Sequence, residues 1–597
     1  MTPHAPPARD HAPLRRFLAG LRRFLAGLLA TIGALTLLLL IAAGAGAWWL
    51  SGRLSGPALP GSVVLVADLR EDLPEAQPPA LVPGLPRLER RPTVTDVVMA
   101  LDAAGRDPRV KGLVARLDDT GHGLAVAQEL RDAVARFRAT GRFAVAHAET
   151  FGELGPGNEG YYLATSFAQV DLQPVGLVGL TGLGAEVPSA AGALDSIGVG
   201  FEVARRAEFK TALEPLSERE ITPANREMLN VLLDDLSRQL AEGVAAGRRL
   251  DPARVAGLID GGPYTGSEAL AAGLIDHVRH LDETLGAALA QAGPGTRAVP
   301  LGSYRRSIDA DDPDDAAATV ALIRGVGTIR RGEGGVGRDI AADDTAEAIE
   351  DAVDDEDVRA ILLRLDTGGG SAVASETIAR QVRRAVAAGK PVVVSMGNTA
   401  ASGGYWIAAE ATTLVAHPAT LTGSIGVVAG KPVLDRLWER LGVNWERITR
   451  GANADLFSVN EPYTPAGRAR IEAVVDALYG EFKAVVAEGR GLDPARVEEI
   501  ARGRVWTGAQ ARERGLVDRL GGFPEAMAAV REALRLPADA PLDLETLPRP
   551  KSALAELTEL LGDDDLGVLG GALATLGAVL RREDMFGGAV STPVRVR

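Results

Sequence analysis

Along the chain, short runs of β-branched and aliphatic residues alternate with longer Ala-rich, helical stretches. VVLVADL from Val63, VKGLVARLD from Val110, VRAILLRLD from Val358 and PVVVSMG from Pro391 are runs of the first kind. Such alternation predicts parallel strands joined by crossover helices, an α/β fold.

A different pattern opens the chain. No charged residue occurs from Phe24 to Gly52, and Leu28 to Leu50 is long enough to cross a hydrocarbon layer of about 30 Å as a helix. Residues 24–50 are therefore expected to form one transmembrane helix. Arg9, Arg15, Arg16, Arg22 and Arg23 precede it, partly in a doubled RRFLAGL, so residues 1–23 should stay in the cytoplasm. Trp48 and Trp49 close the run, where indole rings favour the interface, and in a bacterium the remaining chain then lies on the periplasmic side of the inner membrane. A cleaved secretory signal is the alternative, with a shorter apolar region as its usual mark.

The pattern also repeats. GRRLDPARVAGLIDGGPYTGSEALAAGLIDHV from Gly247 returns as GRGLDPARVEEIARGRVWTGAQARERGLVDRL from Gly489, so that Asp251 matches Asp493, 242 positions on. TPANREMLNVLLDDL from Thr222 pairs with TPAGRARIEAVVDAL from Thr464, and EGYYLATSFAQVDLQP from Glu159 with GGYWIAAEATTLVAHP from Gly403. Two copies of one domain follow each other. We place the first at 51–300, a linker with the acidic run Asp309 to Asp315 at 301–318, the second copy at 319–540, and a tail at 541–597. The tail reads either as an amphipathic helix at the membrane or as a frayed terminus.

Composition narrows the chemistry. A length of 597 residues exceeds one ordinary core, in keeping with the repeat. A net charge of -15 argues against nucleic acid as a partner, and the lack of cysteine removes disulfides, thiolate metal sites and a cysteine nucleophile. Among 64 basic residues six are lysines: Lys111, Lys210, Lys390, Lys431, Lys483 and Lys551. Arginine is the default cation, so each lysine is informative.

In the second copy, the predicted strand PVVVSMG leads into NTAASGGYWIAAE, which puts Ser402 on a small-residue turn before a helix. An N-cap serine would look the same. As a nucleophile, Ser402 would find the Gly403 amide placed to donate to a developing oxyanion. Gly368, Gly369 and Gly370 form another turn of free amides at the end of LLRLD; no Gly-Lys-Ser/Thr follows, as a phosphate loop would require. For a base, the second copy offers a single histidine, His417, at a strand end where the first copy has Gln173. No Gly-x-Ser-x-Gly elbow surrounds Ser402. Lysine is the other candidate, because a neutral amine accepts a proton and a guanidinium does not. Lys210, in RRAEFKTALEPL beside Phe209, Ala212 and Leu213, sits where desolvation would lower its pKa.

The blocks TAASGGYWIAA, TLTGSIGVV and EFKTALEPLSERE resemble signal peptide peptidase A in its long, two-repeat form, over about Val63 to Leu536. The resemblance implies tandem Clp protease/crotonase-like α/β domains and a Ser-Lys peptidase. Ser402 is then the nucleophile, Lys210 the general base and Ser424 the hydroxyl that orients the lysine, with Gly369 and Gly403 forming the oxyanion hole. It further implies signal peptides and other apolar peptides as substrates, contact with membrane lipid, a homotetramer, and no metal or organic cofactor. One departure is visible: the family pattern Asn-Ser-Pro-Gly-Gly is Asp366-Thr367-Gly368-Gly369-Gly370 here. Catalytic residues should survive only in the copy that uses them. Ser402 matches Asn158, and the second copy has Asn453 in place of Lys210. A crotonase-like acyl-thioester enzyme and a silent membrane scaffold are the rival readings.

Overall fold

A computed structural model describes residues 38, 59–77, 91–119, 121–308, 316–334 and 337–549. Apart from Leu38, the expected membrane helix at 24–50 lies outside them, as do all but the first residues of the expected tail. Among the described residues no helix is long and apolar enough to cross a membrane. The chain divides into a small unit, residues 1–59 and 303–311, and a large one, residues 60–302 and 312–597. In the small unit the described part is chiefly the end of the helix Leu301–Ile308. Both sheets, and all the site residues described below, belong to the large unit.

The repeat is visible as two parallel sheets with one strand order. The first runs His277–Val278, Gln169–Leu172, Phe143–Ala148, Val110–Leu117, Val63–Asp68, Arg297–Pro300. The second runs Arg519–Leu520, Thr413–Ala416, Val392–Ala401, Val358–Thr367, Ala318–Val326, Leu542–Leu547. Every neighbouring pair on these two paths is parallel. Each copy also carries a short antiparallel pair, Leu177–Val178 with Tyr264–Thr265 and Leu421–Gly423 with Val505–Thr507.

Parallel strands covered by helices on both faces bury most of their residues on either side, and their sequences show it. In Val358–Thr367, Ile361 and Leu363 face one apolar cluster with the helices Ala372–Ala387 and Gly403–Ala409, while Ala360 and Leu362 face another with Phe523, Ala526 and Val530. The 26-residue helices Pro223–Arg248 and Pro465–Arg490 begin at matching Thr-Pro caps, the threonine hydroxyl accepting from the amide three residues on.

Two boundaries drawn from sequence differ from the structure. Residues 542–547, assigned to the tail, are the edge strand beside Ala318–Val326; their LDLETL has little of the β-branched character that marks the inner strands. Within the assigned linker, Leu301–Ile308 is helical.

The repeats are tied by a buried charge cluster. Arg364, fully buried in Val358–Thr367, donates to Glu75 at 2.6 and 3.0 Å, to Glu129 at 2.7 Å and to Ser395 at 2.8 Å. Glu75 and Glu129 come from the first copy. Burial opposes the charge on this guanidinium, but Glu129 and Glu75 outweigh it and raise its pKa.

Candidate active site

Ser402 stands between the strand that ends at Ala401 and the helix that opens at Gly403, with φ 54° and ψ -118°. A non-glycine residue at positive φ is strained by about 1–3 kcal/mol, the signature of a tight strand-to-helix elbow. Neighbours hold it there: Ser402 N–H donates to the Gly423 carbonyl at 2.9 Å, and Trp406 N–H donates to the Ser402 carbonyl at 2.9 Å. The hydroxyl makes no capping bond. It accepts instead from Lys210 Nζ at 2.8 Å, across 192 positions of sequence.

Lys210 follows the strand Gly200–Arg206, which pairs antiparallel with Val427–Val433 of the second copy. It is 6% exposed, and burial pushes its amine down to about 7. Nζ also donates to the Ser424 carbonyl at 2.8 Å and to Ser424 Oγ at 3.0 Å. Ser424, at φ 50°, is itself in the left-handed region. Four residues on, the buried carboxylate of Glu214 anchors the lysine turn, accepting from Arg205 at 2.8 Å, Thr222 Oγ1 at 2.7 Å and Asn225 Nδ2 at 2.9 Å. One chain thus brings Ser402, Lys210 and Ser424 together.

The two glycines are not equivalent. Gly403 is the first residue of its helix, where an amide has no intrahelical acceptor. Gly369, at φ 106°, packs against the elbow so closely that a Cβ there would lie 2.8 Å from both Ser402 Cβ and Gly403 N. Its own N–H donates to Thr367 Oγ1 at 3.0 Å. That threonine stands where the family pattern has serine, and the composition of the turn drew attention to its glycines alone. Directly beneath, Asp366 Oδ1 accepts from Thr399 N–H at 2.9 Å. Burial and then the Glu75 charge push its carboxyl up to about 7.

His417 has no such engagement. Its buried ring lies 4.0 Å from Glu129 and 3.9 Å from Asp132, neither nitrogen has a hydrogen-bond partner among the described residues, and burial pushes it down to about 3. In the first copy, Asn158 fills the place of Ser402. Its Nδ2 donates to the Gly182 carbonyl at 2.8 Å, while Oδ1 accepts from the Thr181 and Gly182 amides at 2.9 and 3.0 Å. No group of three or more potential metal ligands is found among the described residues.

A serine on a strained elbow, hydrogen-bonded to a buried amine at the meeting of two α/β repeats, is the arrangement of a serine peptidase, and the likenesses to known proteins agree. The chain belongs to peptidase family S49, whose model matches residues 155–293 and 384–536, one stretch in each copy. Each of the two α/β repeats thus carries one of the family's matched stretches. The chain is 31% identical over 476 residues to the chloroplastic serine protease SPPA of Arabidopsis thaliana, covering 78% of this chain and 69% of that one. It is 33% identical over 456 residues to Protease 4 of Salmonella typhi, covering 74% and 72%. A putative signal peptide peptidase SppA of Enterococcus faecium is 34% identical over 183 residues, 31% of this chain and 53% of that one.

Proposed function

We propose that this serine peptidase works through a Ser402–Lys210 dyad and degrades apolar peptides, released signal peptides above all, at the inner membrane. The observation that carries the proposal is the 2.8 Å contact between Lys210 Nζ and Ser402 Oγ, made by an amine whose desolvation favours its neutral form near pH 7. A neutral amine takes the serine proton as Oγ attacks the peptide carbonyl. The tetrahedral oxyanion is met by the Gly403 amide, joined by that of Gly369 once Thr367 releases it. Collapse expels the amine product, protonated by the lysine ammonium, and leaves an acyl-enzyme. Lys210 then draws a proton from water for deacylation. Ser424 keeps the amine on Ser402 throughout by accepting two of its hydrogen bonds.

The substrate class rests on the named activity of the Enterococcus relative and on the apolar, uncharged stretch 24–50, which would hold the enzyme where such peptides remain. Anchoring by that stretch, periplasmic catalytic domains and a homotetramer are parts of the same proposal. The test is hydrolysis of an apolar peptide by detergent-purified full chain, wild type against Ser402→Ala and Lys210→Ala. Both variants should be inactive, and because the dyad is read within one chain, mixing them should restore nothing. Activity in either variant alone would refute the dyad; activity in the mixture would move it between chains.

A further inference from the structure

A site whose base and nucleophile sit in different repeats needs something to fix their separation. The lysine turn lies beyond a two-stranded ribbon, Gly200–Arg206 with Val427–Val433, outside either large sheet. Its backbone instead meets Arg502 and Gly503 of the second repeat, and the Arg504 guanidinium lies 4.6 Å over the Phe209 ring. Phe209 N–H donates to the Arg502 carbonyl at 3.1 Å, and the Arg502 guanidinium donates to Glu208 at 3.0, 3.1 and 3.0 Å. Gly503, at φ +80°, comes so near that a Cβ on it would stand 2.6 Å from Lys210 Cβ and 2.7 Å from Lys210 Cα. Backbone contacts that short cannot be relieved by rotating a side chain.

Gly503 and Arg504 also hold the far side of the amine. Gly503 N–H donates to the Ile425 carbonyl at 2.8 Å, and Ser424 N–H donates to the Arg504 carbonyl at 2.8 Å. One residue before Ser424, the Gly423 carbonyl takes the Ser402 amide. A single turn therefore touches the lysine backbone on one side and, through Ser424 and Gly423, reaches the nucleophile on the other.

Comparison of the repeats shows that this turn is peculiar to the second. The first copy has the ten-residue helix Pro252–Gly261; its counterpart, Pro494–Ile500, stops after seven residues. The residues released from the helix lead into the turn, and Gly261, which matches Gly503, remains helical.

We propose that Arg502–Gly503–Arg504 is a positioning element that sets the distance from the Lys210 amine to the Ser402 hydroxyl, with Gly503 the residue that permits it. This rests on the dyad reading above. Gly503→Ala forces the lysine turn away, and a misplacement of about 1 Å costs about 10²-fold in rate. The effect falls on proton transfer, so kcat should drop by about that factor while KM stays within about twofold, and the acid limb of the rate profile should move. Gly515→Ala, at φ +75° but with only Leu492 Cδ2 at 3.5 Å, carries the same backbone strain away from the site and should leave both unchanged.

The experiment measures kcat, KM and pH profiles on the full chain for these two variants, with circular dichroism to verify folding and Ser402→Ala and Lys210→Ala alongside. A folded Gly503→Ala with wild-type kcat and acid limb overturns the proposal, as does an equal loss in Gly515→Ala. If Gly503→Ala does not fold, Arg502→Ala decides, since its half-exposed ion pair contributes little to stability. A several-fold lower kcat at unchanged KM supports the positioning role, and a wild-type profile overturns it. Activity in Ser402→Ala or Lys210→Ala refutes the dyad itself; inactivity there with a wild-type Gly503→Ala refutes the positioning element alone.

Discussion

Replacing Lys210 by Met should abolish activity and yet stabilise the protein, by an amount that depends on pH. The buried amine titrates at about 7, against 10.5 for an ordinary lysine. The unfolded chain therefore binds one more proton than the folded chain between those values, and stability rises with pH across that window. Below pH 7 both states are protonated and the full cost of burying the ammonium is felt, on the order of 5 kcal/mol at about 1.4 kcal/mol per pH unit. At pH 8 roughly 3 kcal/mol remains, and above about 10.5 nothing. Methionine has a similar length and no charge to desolvate, so its advantage should be largest at and below pH 7 and should shrink by about 1.4 kcal/mol per unit from pH 7 to 10. The lost bonds to Ser402 and Ser424 subtract a constant of about 1–3 kcal/mol, which moves the line without changing its slope. Urea unfolding followed by tryptophan fluorescence, with Trp406 in the helix behind the elbow, gives the difference at pH 7, 8 and 9. Parallel pH dependences in the two proteins would refute the claim that Lys210 is held neutral.

Two more outcomes follow from the charges below the site. Asp366→Asn keeps an acceptor for the Thr399 amide and removes a carboxyl pushed up to about 7. Its folded value is raised, so the wild type loses stability as pH climbs from about 4 to 7, and at pH 8 the Asn variant should be the more stable by urea unfolding and remain active. Arg364→Met leaves Glu75 and Glu129 buried without their partner and should cost about 3–5 kcal/mol, seen as a lowered unfolding midpoint.

Much of the fold was legible because its signals are local or repeated. VRAILLRLD and PVVVSMG read as strands since buried parallel strands must be apolar on both faces, and the duplicated LDPARV segments marked two copies with the same order. LDLETL was missed as a strand because an edge strand needs less apolar surface. Arg364 stood in plain view inside LLRLD, but its meaning depends on Glu75 and Glu129, hundreds of positions earlier. At the site, the glycines around Ser402 and the apolar residues around Lys210 nominated both side chains. The Gly369 amide was nominated as well, and only in three dimensions does it turn out to be engaged by Thr367.

By itself, then, the sequence determined the α/β class, the duplication, and a serine and a lysine each in a setting suited to chemistry, because these depend on residues close together in the chain. Tertiary structure alone decided that the two stand 2.8 Å apart within one chain, that the Ser424 carbonyl joins its hydroxyl in receiving the amine, and that Gly503 presses on the lysine turn. A distance between residues 192 positions apart is set by how two repeats pack, and no local pattern encodes it.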